Sequence, residues 1–230
     1  MTTERDDMLA MSPLDQLAAG FPRLAPLIAA ASLDSYAVVP EPSRSAAVEQ
    51  LSSVLGPVLN GVASQGMLID DPASHPAMWT FVRDFAEAIP SLVELLHSTG
   101  LMELQGSELI LTSSGESARR NPAELFDVIC SAMPLTFNST EHMEATIESL
   151  CALVGTSQAA TLLGTSTAQF DEAYRSLILD TTDAAPTHAT QLNRDVRDLL
   201  GLVQHNAFVP GATSLTSVGK TIVGHALSQF

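Results

Sequence analysis

Apolar residues recur at three- and four-residue intervals over most of the chain, the period of amphipathic helices. Ser12-Pro13 supplies a cap and a first-turn proline, after which Leu14, Leu17 and Ala18 share a face. Phe21-Pro22 breaks that helix, and Leu24, Leu27, Ile28 and Ala31 predict a second. Pro40 and Pro42 mark a loop. Ala47, Val48, Leu51, Val54 and Leu55 predict a third helix over residues 43–55, interrupted at Gly56-Pro57. The segment Asp70-Asp-Pro-Ala-Ser-His-Pro76 is dense in turn formers and reads as a domain boundary.

The period then changes. Leu92, Leu95 and Leu96 give one face of a helix that Thr99-Gly100 ends, since glycine takes the left-handed conformation at low cost. Leu101–Leu104 and Ser107–Leu111 predict two short strands around a Gln105-Gly106 turn. Thr112-Ser-Ser-Gly-Glu116 opens a further helix, with Ser113 and Glu116 at capping-box spacing, and Asn121-Pro122 ends it. The pattern recurs near the C-terminus. A leucine-rich helix over 199–206 places Asn206 where the first copy has glycine. Ala207–Val209 and Thr213–Leu215 predict a second ribbon around Pro210-Gly211, and Leu215-Thr-Ser-Val-Gly219 repeats Leu111-Thr-Ser-Ser-Gly115. On that alignment the second ribbon is two residues shorter than the first. Between the copies, Ser157–Ser166 has the spacing of a helix and turn, with Ala160 four residues before Gly164. Ser166 and Gln169 would cap a following helix with Phe170, Tyr174, Leu177 and Ile178 on its apolar face.

These units resemble winged-helix and helix-turn-helix proteins, and the Leu-Thr-x-x-Gly exits are similar to those of MarR- and PadR-type regulators. Residues 76–130 and 155–230 also resemble uncharacterised actinobacterial proteins that carry repeated winged-helix units. The resemblance implies a mainly α fold with two small antiparallel β-ribbons and tandem winged-helix units after an N-terminal helical region. The expected divisions are an N-terminal helical region over 1–75, a first winged unit over 76–125, connecting helices over 126–155, and a helix-turn-helix plus second winged unit over 156–230.

Charge changes what that resemblance implies. The chain holds 26 acids and 10 bases in 230 residues, a net charge of -16. Residues 1–90 carry -7, residues 121–193 carry -8, and residues 194–230 alone are slightly basic at +1. Phosphate affinity comes from Lys and Arg. The ribbon acids Glu103 and Glu108, and Asp171-Glu172 on the candidate reading helix, would repel DNA. A nucleic-acid role is thereby confined to Arg194, Arg197 and Lys220, and the favoured reading of Arg194 and Arg197 is pairing with Asp195, Asp198 or the acidic blocks. The expected function is a non-enzymatic winged-helix interaction or regulatory module that binds a protein partner or itself. The alternatives are a DNA-binding transcription regulator acting through the C-terminal unit and an acidic DNA mimic. No apolar run approaches the ~20 residues of a membrane span, and the polar start Met1-Thr-Thr-Glu-Arg lacks a leader pattern, so the expectation is a cytoplasmic protein without membrane contact.

Catalytic patterns are missing from the sequence. Phosphate loops, dinucleotide fingerprints and nucleophile elbows do not occur, and Glu141-His-Met-Glu144 is not a zinc motif. The expectation is therefore no enzyme, no cofactor and no metal. Asp180, Asp183 and His188 form a remote cation candidate. Glu141, Glu144 and Glu148 read as the solvated side of a helix whose buried stripe is Met143, Ile147, Leu150, Cys151 and Val154. Cys130 and Cys151 read as small core residues. His97 and His205 read as equivalent residues near the ends of the two repeat helices.

Overall fold

The computed structural model describes residues 13–133, 135, 139–178, 186–205 and 213–229. Helices dominate, joined by two small antiparallel sheets. Helices α1 (Pro13–Gly20), α2 (Ala25–Ala31) and the short α3 (Asp34–Ala37) lead into α4 (Glu41–Ser64). That helix continues through Gly56-Pro57 instead of stopping at Leu55. A proline inside a helix costs about 3 kcal/mol. Leu51, Leu55, Val58 and Leu59 around it are all at 0% exposure, and burying each contributes about 1.5–3 kcal/mol, so packing overrides the break.

Strand β1 (Met67–Leu68) follows, then two 3-10 turns, α5 (Trp79–Phe85), α6 (Ile89–Ser98), β2 (Met102–Gln105), β3 (Glu108–Leu111), α7 (Ser113–Arg120) and α8 (Pro122–Ala132). The sheet order is β1-β3-β2, with Met67 and Leu104 both opposite Leu109. Two residues are too few for β1 to show an alternating pattern in sequence. The turn segment 70–76 therefore joins elements of one sheet, and α4 packs on β3, α7 and α8. Inside that segment His75 is buried, with Nδ1 accepting from Ala77 N at 3.2 Å and Nε2 facing Gln65 O at 3.3 Å.

The second half holds α9 (Thr140–Val154), α10 (Thr156–Leu162), α11 (Phe170–Ile178), α12 (His188–Leu199), β4 (Val203–His205), β5 (Thr213–Leu215) and α13 (Ser217–Leu227). Strands β4 and β5 pair antiparallel from Val203↔Leu215 to His205↔Thr213. The predicted strand Ala207–Val209 and the Pro210-Gly211 turn lie outside the described residues, as do Asp180 and Asp183. The helix before this ribbon ends at Leu199, and Gly201 at φ +65° matches Gly100 at φ +70°. Gly201, not Asn206, is thus the glycine of the repeat. His205 belongs to β4, so it is not the counterpart of His97. The second ribbon, Gly201 to Thr216, is three residues longer than Gly100 to Thr112, not shorter.

The two exits agree closely. Thr112 N donates to Leu101 O at 3.1 Å and Thr216 N to Leu202 O at 2.8 Å. Thr112 Oγ1 accepts from Gly115 N at 3.0 Å, and Thr216 Oγ1 from Gly219 N at 2.9 Å. The threonine therefore caps each helix, which displaces the Ser113–Glu116 box. Glu116 instead meets Arg119 and Arg120 at 2.8 and 3.0 Å. At Gly115 and Gly219 a Cβ would overlap the carbonyl oxygens of Leu101 and Leu202. Between the copies, α10 turns at Gly164 as expected, but Ser166 Oγ meets the Gln169 side chain at 3.1 Å and caps no backbone N–H.

One apolar core runs through both halves. Helix α12 packs on α6 and α9, α13 on α4 and α8, and α9 on α2. Cys130 and Cys151 sit within this core, each 3% exposed, and burial pushes the Cys151 thiol up to about 12.

Candidate functional site

The polar centre of the molecule lies where α9, α11 and α12 meet. Helix α9 has no solvated acidic side at this point. Glu144 is 3% exposed, and the Glu148 side chain is 17% exposed. Thr146, Ser149, Ala152 and Leu153 are buried as well, so α9 is enclosed by α2, α12 and β5 and its acids are drawn inside.

Both arginines singled out in the sequence converge on one of those acids. Arg194 Nε and Arg197 Nη2 each donate to Glu148 Oε1 at 2.8 Å. Arg197 is 3% exposed and also donates through Nε to Asn193 O at 3.3 Å. Asn193, fully buried, donates through Nδ2 to Ser149 Oγ at 2.7 Å. A buried charge is tolerated only when paired and hydrogen-bonded, and this network supplies both conditions. It is incomplete, because Glu144 Oε2, Glu148 Oε2 and Asn193 Oδ1 are buried acceptors without a donor. Tyr174 Oη reaches Glu144 only at 3.5 Å. Burial, followed by Glu148 and Glu144, raises the Tyr174 phenol well above its ordinary value, so it stays a neutral donor.

A cavity of about 250 Å³ opens beside this cluster. Among the described residues its polar lining is Glu148, Thr156, Arg194, Arg197 and Asp198; Phe170 and Tyr174 also line it, stacked with ring centroids 6.2 Å apart and planes at 14°. Lys220, the third sequence candidate, is exposed on α13 and does not line this cavity. The sequence pairs both arginines with Asp195, Asp198 or the acidic blocks without singling out Glu148, and it places Glu148 on the solvated side of its helix. The available signal was polarity inside an apolar frame: Ser149 on α9, and Asn193 and Arg197 among the apolar positions of α12.

The helices that lead into the two ribbons face one another. Ser91 Oγ donates to Asp195 Oδ2 at 2.8 Å, and His188 Nε2 lies 3.0 Å from Glu94 Oε1. His188 is therefore committed to Glu94, which raises its pKa. The side chain of Asp171 lies outside the described residues. Among the described residues no group of three or more His, Cys, Asp or Glu is placed to hold a metal ion, and no helix is long and apolar enough to cross a membrane. Compared with family models, curated proteins and solved structures, the chain matches none.

Proposed function

We propose that the chain is an intramolecular pair of winged-helix units that acts as a non-enzymatic protein-interaction module. The order helix, strand, helix, helix, strand, strand from α4 to β3, with sheet order β1-β3-β2, supports the first unit. Helices α9 to α12 followed by β4 and β5 support the second, and the matching threonine caps support their kinship. In such units the helix before the ribbon reads the DNA major groove. Those helices are α6 and α12, and the observation that carries the proposal is that they pack against each other. Neither can enter a groove while Ser91 holds Asp195 and Glu94 holds His188. Arg194 and Arg197 are turned inward onto Glu148, away from any phosphate.

The partner is a protein bearing basic residues, and α5 is the surface it fits. Trp79, Val82 and Phe85 recur at three-residue steps on α5 with exposures of 65%, 37% and 40%. Asp70, Asp71 and Glu87 lie exposed on and around the same helix, where Asp84 is paired with Arg83 at 2.8 Å. Aromatic anchors rimmed by acid suit a basic, apolar partner face.

Fluorescence anisotropy with labelled duplex DNA at low salt tests the first part, with no binding expected. Salt-sensitive binding that weakens when Arg194, Arg197 and Lys220 are neutralised would instead establish a DNA regulator. Capture with the intact chain and with a Trp79→Ala, Phe85→Ala variant tests the second. A basic protein bound by the first and lost by the second is expected. Equal capture by both removes α5 from the proposal.

A further inference from the structure

We infer that the outer edge of β2 takes an added strand from a partner protein, an extended segment in which basic and apolar residues alternate. Strand β2 is an edge of the sheet order β1-β3-β2. The hydrogen-bond phase fixes which of its main-chain groups face outward. Ile69 N donates to Ser107 O at 3.1 Å, and Thr112 N to Leu101 O at 3.1 Å. Antiparallel ladders alternate bonded and non-bonded pairs, so Gln105–Glu108 and Glu103–Ile110 are the bonded pairs between β2 and β3. Leu104 N–H and C=O therefore point away from β3, along the open edge. The Leu104 side chain is unmet as well. It shares a sheet face with Leu109 and Met67, both at 0% exposure, yet is itself 47% exposed. A strand laid alongside serves both needs, bonding the main chain of Leu104 and covering its side chain with an apolar residue. Met102, the other outward-facing residue, is buried, so the contact centres on Leu104 and is weak.

Charge selects the rest of the segment. Glu103, Gln105 and Glu108 share the opposite sheet face, and all three are exposed. Among the described residues neither glutamate forms an ion pair. In an added strand, the neighbours of the residue that meets Leu104 fall on this face, where opposite charges stabilise a cross-strand pair and like charges destabilise it. A second copy is disfavoured, because it would bring the same two glutamates and a further net charge of -16. Edge strands commonly carry charge against chance pairing, and Glu103 repels an acidic strand while attracting a basic one. The inference rests on the protein-interaction reading only in keeping a basic partner, and it adds a contact separate from α5.

The probe is a hexapeptide of alternating lysine and valine, titrated into the intact chain by NMR with amide exchange followed at Leu104. Binding with Kd below about 1 mM is expected, and the Leu104 amide should exchange at least about tenfold more slowly in the complex. Three related peptides should bind at least about tenfold more weakly: alternating glutamate and valine, the lysines and valines gathered into two blocks, and the probe with its valines N-methylated, which cannot donate to Leu104 O. Leu104→Pro removes an outward N–H, as proline on a sheet edge does, and should abolish binding without costing a bond to β3. Glu103→Lys, at an exposed position, should weaken binding about fivefold. The Trp79→Ala, Phe85→Ala variant should bind the probe as wild type does, which separates failure at β2 from failure at α5. The inference is overturned if the probe does not bind, if the Leu104 amide keeps its free exchange rate in the complex, or if the block or N-methylated peptide binds equally. It is also overturned if that amide becomes protected with rising protein concentration alone, which would make a second copy the occupant.

Discussion

Helices α6 and α12 each lead into a two-stranded ribbon and a threonine-capped helix, and they fill their interiors in opposite ways. With Gly100 aligned on Gly201, the positions of Leu92, Val93 and Leu96 in the first copy become Asn193, Arg194 and Arg197 in the second. The first set is buried among apolar side chains. In the second, Asn193 and Arg197 are buried in a network with Ser149 and Glu148. What stays constant is the backbone chemistry: a left-handed glycine, a threonine cap and a glycine with no room for a Cβ. These three positions recur on both sides, with an apolar interior behind one set and a polar interior behind the other. Replacing a buried ion pair by apolar residues is often neutral or stabilising, so the polar interior is the costlier choice for stability. The cavity lies on that side.

The largest expected effect comes from breaking the polar interior by one partner. Glu148→Ala leaves Arg197, 3% exposed, without its carboxylate, and should cost about 3–5 kcal/mol in urea unfolding. Glu148→Leu combined with Arg197→Leu gives the second copy an apolar pair like that of the first. This double variant should lose far less than the two single losses added together, because each single change strands the other charge. Additive losses would show that the two residues are not energetically coupled, and the contrast between the copies would fail.

The backbone half of the comparison predicts equality. Gly115→Ala and Gly219→Ala both force a methyl onto a carbonyl oxygen of the backbone, Leu101 O and Leu202 O, which cannot rotate away. Each should cost at least about 2 kcal/mol by thermal or chemical unfolding. A harmless Gly219→Ala beside a damaging Gly115→Ala would mean that the second exit is looser than the first and that the two copies are not one frame.

The parts of this arrangement that were legible in sequence are those set by local backbone chemistry. Gly100, the Gln105-Gly106 turn, Asn121-Pro122 and both Leu-Thr-x-x-Gly exits are read from a few adjacent residues, and the structure places them accordingly. Three misreadings came from packing between distant segments. Pro57 stays inside α4 because its neighbours are buried against other helices. Strand β1 exists only because β3, some forty residues later, offers it an edge. Glu144 and Glu148 look solvated on an isolated α9 and are covered only when α12 and β5 close over them. The glycine of the second copy was misassigned because a longer ribbon moved it five residues upstream of Asn206. The cavity was the least legible feature, since its described walls come from four helices and a strand.

The weakest prediction concerns the contact that turns α6 and α12 toward each other. His188 gains a hydrogen bond from its imidazolium to Glu94, with further attraction from Glu94 and Glu141, and its pKa rises in the folded chain. A raised folded value means that the folded state holds the proton more tightly than the unfolded one. The contribution is therefore complete below the unfolded value of about 6.5 and disappears as pH rises through the folded value. Its size is limited by two things. Both side chains are largely exposed, at 70% and 46%, so solvent screens the pair. His188 is also the first residue of α12, where the helix dipole disfavours a cation. The net effect should be a few tenths of a kcal/mol, a shift of about 1 °C in Tm. Glu94→Gln removes the carboxylate with little change of shape, so wild type should exceed the variant near pH 6 and the gap should close toward pH 9. A gap that persists or widens at high pH would show that His188 holds Glu94 without a proton, and the two helices would then be joined by packing and the Ser91–Asp195 bond alone.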